Sequence, residues 1–281
     1  MYVQQLFKKV INRKTKNEYF YKMRVAALQT DLHWENVSAN HIALEQQIGS
    51  LKEVDLIVLP EMFSVGFTMN PSKVAEKIDG ASFIWMQKMA KKTGATIVGS
   101  LPIVKNKKFY NTLMWVQPDG KYFSYNKRHL FRMAGEHKVF EKGDSLLVVT
   151  LKHFRCCPLI CYDLRFPVWS RNIASDLSIR YDVLIYVANW PAPRSNAWTC
   201  LLKARAIENQ CYVIGVNRIG VDGNGINYSG ESRIFGPKGE RIDEFEANKS
   251  SIQQVNLDFS YLANFREKFP VSKDADLFNL L

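Results

Sequence analysis

No apolar run in this 281-residue chain approaches the roughly 20 residues that a bilayer-spanning helix needs. A membrane-bound protein is therefore not expected. The opening residues lack the apolar stretch of a secretory signal. Cysteine is scarce, with five residues: Cys156, Cys157, Cys161, Cys200 and Cys211. The number is odd, and no Cys or His spacing matches a zinc site. A disulfide framework and a structural metal are both unexpected, and free thiols in a reducing, cytoplasmic setting fit better. No glycine-rich stretch reads as a phosphate loop. Gly220, Gly223 and Gly225 lie in one turn and lack a following Lys-Ser. No cofactor is expected. Linkers and internal repeats are also missing.

The net charge is +11, which raises the question of nucleic acid. Much of that excess sits in residues 1–22, where six Lys/Arg face only Glu18. This polar, basic segment reads as an extension ahead of a domain spanning 23–281. Beyond it, only Lys105, Lys107 and Lys108 cluster. No helix-turn-helix or RNA-binding signature accompanies them, so no nucleic-acid partner is expected.

Apolar residues make up 47% of the chain, enough for a large core. Strand-like runs cover 24–29, the segment up to Glu61, 96–101, 110–116, 122–126, 146–151, 154–160, 183–188 and 211–216. Helical patterns cover 34–51, 82–92 and 198–209, and another helix is expected to begin at Pro167. In the first, Val37, Ile42, Leu44 and Ile48 are available for the inner face. A late meander over 229–235, 241–245 and 252–257 precedes a last helix at 259–267. Alternation of this kind predicts a layered α/β domain. Composition alone does not separate a single doubly wound sheet from two stacked ones.

Three strand-like runs each end on one ionisable side chain. Asp55-Leu56-Ile57-Val58-Leu59-Pro60 leads into Glu61. Tyr122 to Asn126 alternates and stops at Lys127. Pro158-Leu159-Ile160 leads into Cys161, followed by Tyr162-Asp163-Leu164-Arg165-Phe166-Pro167. Taken singly, Cys161 suits a buried structural cysteine, Glu61 a loop cap and Lys127 a solvated surface. Taken together, they are a base, an oxyanion stabiliser and a nucleophile.

The order Glu61, Lys127, Cys161 and the contexts LPE, KRHLF and CYDLRFP resemble the nitrilase, or carbon–nitrogen hydrolase, superfamily. The resemblance runs from about Met23 to Phe269. It implies a four-layer αββα sandwich and a cysteine thioester mechanism. Cys161 would attack an amide carbonyl after giving its proton to Glu61, with Lys127 favouring the thiolate. Lys127 and the backbone N–H of Tyr162 would hold the oxyanion. Glu136, in Met133-Ala134-Gly135-Glu136-His137, matches a further family glutamate that would orient Lys127. A plain loop carboxylate is its other reading. Asp163 and Arg165 are expected to shape the turn at Cys161. Many relatives carry an acidic residue after the equivalent of Pro167, where this chain has Val168. His129 and His137 invite a Cys–His reading, but the context of Cys161 fits the Glu-Lys-Cys family instead.

A narrower resemblance rests on GFTMNP (66–71), ANWPAPR (188–194), VNRIGVDGNG (216–225) and FREKFP (265–270). These are similar to the omega-amidase group. The implied substrates are small 2-oxo acid amides, 2-oxoglutaramate and 2-oxosuccinamate. Phe63, Phe67 and Trp190 would form the apolar wall, and Arg194 would meet the substrate carboxylate or serve only its loop. A homodimer is implied as well. Two alternatives stay open: action on another small amide or nitrile, and a silent binding protein of the same fold.

Overall fold

The computed structural model describes residues 21–174 and 178–276. Its first sheet has six strands, β1 (Lys22–Gln29), β2 (Leu56–Val58), β3 (Thr96–Lys105), β4 (Lys108–Val116), β5 (Tyr122–Asn126) and β13 (Ser251–Asp258), in the order β13-β1-β2-β3-β4-β5. The second has five, β6 (Val149–Leu151), β7 (Phe154–Ile160), β8 (Val183–Ala188), β9 (Tyr212–Asn217) and β12 (Arg233–Phe235), in the order β12-β9-β8-β7-β6. A hairpin of β10 (Ile219–Val221) and β11 (Asn227–Ser229) stands apart. At the centre of each sheet the strands run parallel: β1 with β2 and β3, and β7 with β8 and β9.

Strand period explains the layering. On β1, Val25 and Ala27 join a core shared with β7 and β8 of the second sheet. Ala26 and Leu28 point the other way, into a core with helices α1 (Val37–Ile48) and α2 (Ala81–Thr93). Helix α3 (Ser195–Asn209) covers the second sheet through Trp198, Leu202 and Ala206. It packs so closely over β9 that a Cβ on Gly215 would lie 2.3 Å from Leu202. Helix α4 (Phe259–Lys268) adds Leu262 to the same core. The result is the four-layer αββα sandwich. β8, Val-Leu-Ile-Tyr-Val-Ala, is buried throughout, as a central parallel strand must be.

Helix boundaries follow their caps. Asn36 accepts from Ala39 N at 3.0 Å and starts α1 later than the apolar pattern suggests. Ile42 is 61% exposed, while Asn40 turns inward and donates to His33 O and Ser64 O. The amide side chain satisfies two buried carbonyls, which an apolar side chain could not. Gly94, at φ +69°, stops α2 in the left-handed region.

Three expectations are corrected. Residues 167–170 form turns, and no helix starts at Pro167 among the described residues. Only Arg241 of the 241–245 run pairs, as an isolated bridge to Phe235. The 252–257 run does not continue a meander. Instead, β13 crosses to the other sheet and pairs antiparallel with β1, Val25 opposite Val255. Local pattern reports a strand but not its partner. The proposed extension lies largely outside the described residues. β1 begins at Lys22, one residue inside its expected end. Among the described residues, no helix is long and apolar enough to cross a membrane.

Candidate active site

Both sheets deliver chemistry from the C-terminal ends of their strands, where α/β sheets open toward ligands. Glu61 lies three residues beyond β2, Lys127 directly after β5, Cys161 directly after β7 and Asn189 directly after β8. Cys161 has φ +44°. A side-chain-bearing residue seldom adopts that conformation, and the surrounding fold must hold it there. Asp163 does much of the holding. Its carboxylate accepts from Ile160 N at 3.1 Å, Tyr125 Oη at 2.8 Å and His129 N at 3.0 Å. His129 Nδ1 also lies 2.8 Å from Asp163, and its ring stacks on Phe166. Asp163 is thus structural as expected, and His129 is bound to the turn.

Lys127 Nζ sits between two carboxylates, 2.8 Å from Glu61 Oε1 and 3.0 Å from each oxygen of Glu136. All three side chains are fully buried. Asn111, on β4, donates to both acids, at 2.8 Å to Glu61 and 3.2 Å to Glu136. The Phe131 N–H donates to Glu136 Oε2 at 2.6 Å. The Asn189 N–H donates to Glu61 Oε2 at 2.8 Å, and its side chain donates to the Glu61 carbonyl at 2.7 Å. Sequence reading did not single out Asn111. A polar residue inside a buried strand of the first sheet was the available signal.

The electrostatics follow from burial and from two acids sharing one cation. Burial pulls Lys127 down, but Glu136 and Glu61 outweigh it and hold the ammonium above the ordinary lysine range. Burial raises the Glu136 carboxyl, and repulsion from Glu61 adds to this, against the attraction of Lys127. The Cys161 thiol is pushed well up, first by burial and then by Glu61, which hydrogen-bonds it. Lys127 favours the thiolate, but burial and Glu61 favour the thiol more.

Cys161 opens into a small cavity of about 60 Å³. Phe67, Tyr162, Trp190 and Arg194 line it as expected. Phe131 and Tyr228 line it too, and neither was anticipated. Phe63 does not reach the cavity. It is fully buried in the core under α2, with its ring 5.6 Å from Trp85. Its position two residues after Glu61 suggested the pocket, but the chain turns at Met62, φ +44°, and sends it inward. Arg165 is the reverse case. Expected to brace the turn, it lines the cavity, its guanidinium 4.9 Å from the Trp190 ring centre.

A cysteine, a lysine and a glutamate following strands of an αββα sandwich, with a second glutamate from a short helix on the lysine, define a carbon–nitrogen hydrolase. Residues 24–267 match the carbon-nitrogen hydrolase family, and the chain belongs to that family. Among its relatives is the omega-amidase YafV of Escherichia coli K12, 43% identical over 92% of this chain and 98% of that protein. The 2-oxoglutaramate amidase of Bacillus subtilis is 33% identical over 90% of this chain and 97% of that one. A CN-hydrolase superfamily protein from Xanthomonas campestris, solved with an arsenic adduct in its active site, superposes with a TM-score of 0.90 at 36% identity. That match covers 92% of this chain and 99% of the other.

Proposed function

We propose that this enzyme is an omega-amidase that hydrolyses small 2-oxo acid amides, 2-oxoglutaramate and 2-oxosuccinamate, to the 2-oxo acid and ammonia. The observation that carries the reading is the placement of Arg194 in the cavity of Cys161. A guanidinium and a thiol lining one small cavity support a substrate that carries a carboxylate beside its amide.

In the first half-reaction, Glu61 takes the Cys161 proton as sulfur adds to the amide carbon. The Lys127 ammonium and the Tyr162 N–H hold the oxyanion, which needs donors about 3 Å away. Glu136 keeps Lys127 aimed. Collapse expels ammonia, which takes the proton back from Glu61, and leaves a thioester on Cys161. In the second, Glu61 deprotonates a water that adds to the thioester. The acid leaves and the thiol regains its proton.

Glutamine differs from 2-oxoglutaramate by an ammonium where the ketone stands, and a cationic site repels it. A plain alkyl amide would leave the cation unpaired. Ammonia release across such a panel tests the reading. 2-Oxoglutaramate is expected to give the highest kcat/KM, and Arg194→Leu to raise its KM. A higher kcat/KM for glutamine or a simple aliphatic amide would overturn it.

Five cysteines without disulfide partners support a cytoplasmic setting. Exposed apolar Val168 and Phe269 support a homodimer through these regions.

A further inference from the structure

The cavity holds a second guanidinium. Arg165 and Arg194 both line it, and no Asp or Glu does. The Arg165 side chain has no hydrogen bond or ion pair among the described residues, and its guanidinium rests on the Trp190 ring face at 4.9 Å. Arg194 is similar. Its side chain reaches only the Met133 sulfur at 3.8 Å and lies 5.5 Å from the Phe131 ring centre. Trp190 ties the two together, since its indole N–H donates to the Arg194 carbonyl at 2.7 Å. Other arginines of this chain, Arg155, Arg218 and Arg241, each meet an aspartate. Aromatic faces position a guanidinium while leaving its in-plane donors free.

We propose that Arg165 is the specificity-determining residue for the 2-oxo group, completing with Arg194 a two-guanidinium clamp on the 2-oxo acid head of the substrate. This rests on the omega-amidase reading. A carboxylate offers two oxygens, which one guanidinium fork satisfies. The adjacent ketone adds a third acceptor in the same plane, which calls for a second set of donors. A 2-amino acid brings an ammonium between two cations. A chain with methylene at that carbon leaves the second guanidinium unfilled.

The test compares the wild type with Arg165→Leu and Arg165→Lys. Three amides are used: 2-oxoglutaramate, glutaramate, which lacks the keto oxygen, and glutamine. Binding of 2-oxoglutarate, the product, is measured by calorimetry, with thermal melts to confirm folding. Arg165→Leu is expected to lower kcat/KM for 2-oxoglutaramate roughly 10- to 100-fold, mainly through KM, as for lost hydrogen bonds to a charged partner. The loss on glutaramate is smaller, the preference over glutamine narrows, and 2-oxoglutarate binds more weakly. Arg165→Lys keeps the charge without the fork and falls between. Equal losses on all three amides with unchanged 2-oxoglutarate affinity would mean that Arg165 merely braces the Cys161 turn, and the clamp is wrong. No change in any variant overturns it equally. If the wild type itself prefers glutamine, the omega-amidase reading fails. Unaltered 2-oxoglutarate affinity in Arg165→Leu then rejects the clamp, and weakened affinity retains it.

Discussion

Asn189 is bonded to Glu61 across 128 positions of sequence, N–H to Oε2 at 2.8 Å and side-chain amide to the Glu61 carbonyl at 2.7 Å. One residue directly follows a strand of the second sheet, and the other lies three residues past a strand of the first. The pair therefore joins the two sheets at the catalytic end. It also fixes one carboxylate oxygen of Glu61, while Lys127 and Asn111 fix the other. A carboxylate held on both oxygens has a fixed orientation, which suits the base role proposed for it.

Cys161→Ala is expected to abolish ammonia release and leave the melting temperature nearly unchanged. The side chain is small, and its contact with the Asn189 carbonyl, at 3.9 Å, is weak. Glu61→Gln is expected to be inactive as well, because an amide cannot accept the thiol proton. Kinetics beside a thermal melt check both. Substantial turnover by folded Cys161→Ala would remove the nucleophile assignment.

Lys127→Met is expected to lose stability as well as activity. The substitution strands Glu61 and Glu136 together in a fully buried site. Breaking a buried ion pair in this way costs roughly 3–5 kcal/mol. Denaturant unfolding reads it. A cost no greater than that of Cys161→Ala would mean that the two acids are neutral in the folded protein.

The pH dependence has a defined sign. Glu136 holds its proton to higher pH than the ordinary glutamate value of 4.5. A raised carboxyl pKa means that protonation, and loss of its charge-assisted grip on Lys127, begins above that value as the pH falls. The acid limb of kcat/KM should therefore lie above pH 4.5. It should move in Glu136→Gln, which cannot titrate. A limb unmoved by that substitution would assign it to another group.

Removing residues 1–20 is expected to change neither melting nor activity, because the segment is too rich in charge to bury cheaply. Cutting further, through Arg24, should destabilise the protein. That cut takes Lys22, Met23 and Arg24 from the β1–β13 ladder and the backbone amide that Asp55 accepts at 2.7 Å. Melts of the two truncations compare directly. A marked drop on losing only 1–20 would show that the segment stabilises the domain.

Glu61, Lys127, Cys161 and Glu136 were legible in the sequence because each belongs to a short contiguous motif. A strand period or a turn signal next to an ionisable residue is local information. Most helices and strands were legible for the same reason. What joined those residues was not local. Asn111 reaches Glu61 and Glu136 across the sheet, and β13 finds β1 through more than 200 residues of chain. Sequence spacing says nothing about such pairings. The sequence determined which side chains were present at the strand ends. Tertiary structure decided where they point. A positive φ at Met62 buries Phe63, while the turn at Cys161 swings Arg165 out over Trp190. It also decided the charge state of the site. Burial and the nearby Glu61 push the Cys161 thiol up, although the fold also brings Lys127 close to it. Desolvation and Coulomb energy depend on distance and enclosure, which exist only once the two sheets have closed on each other.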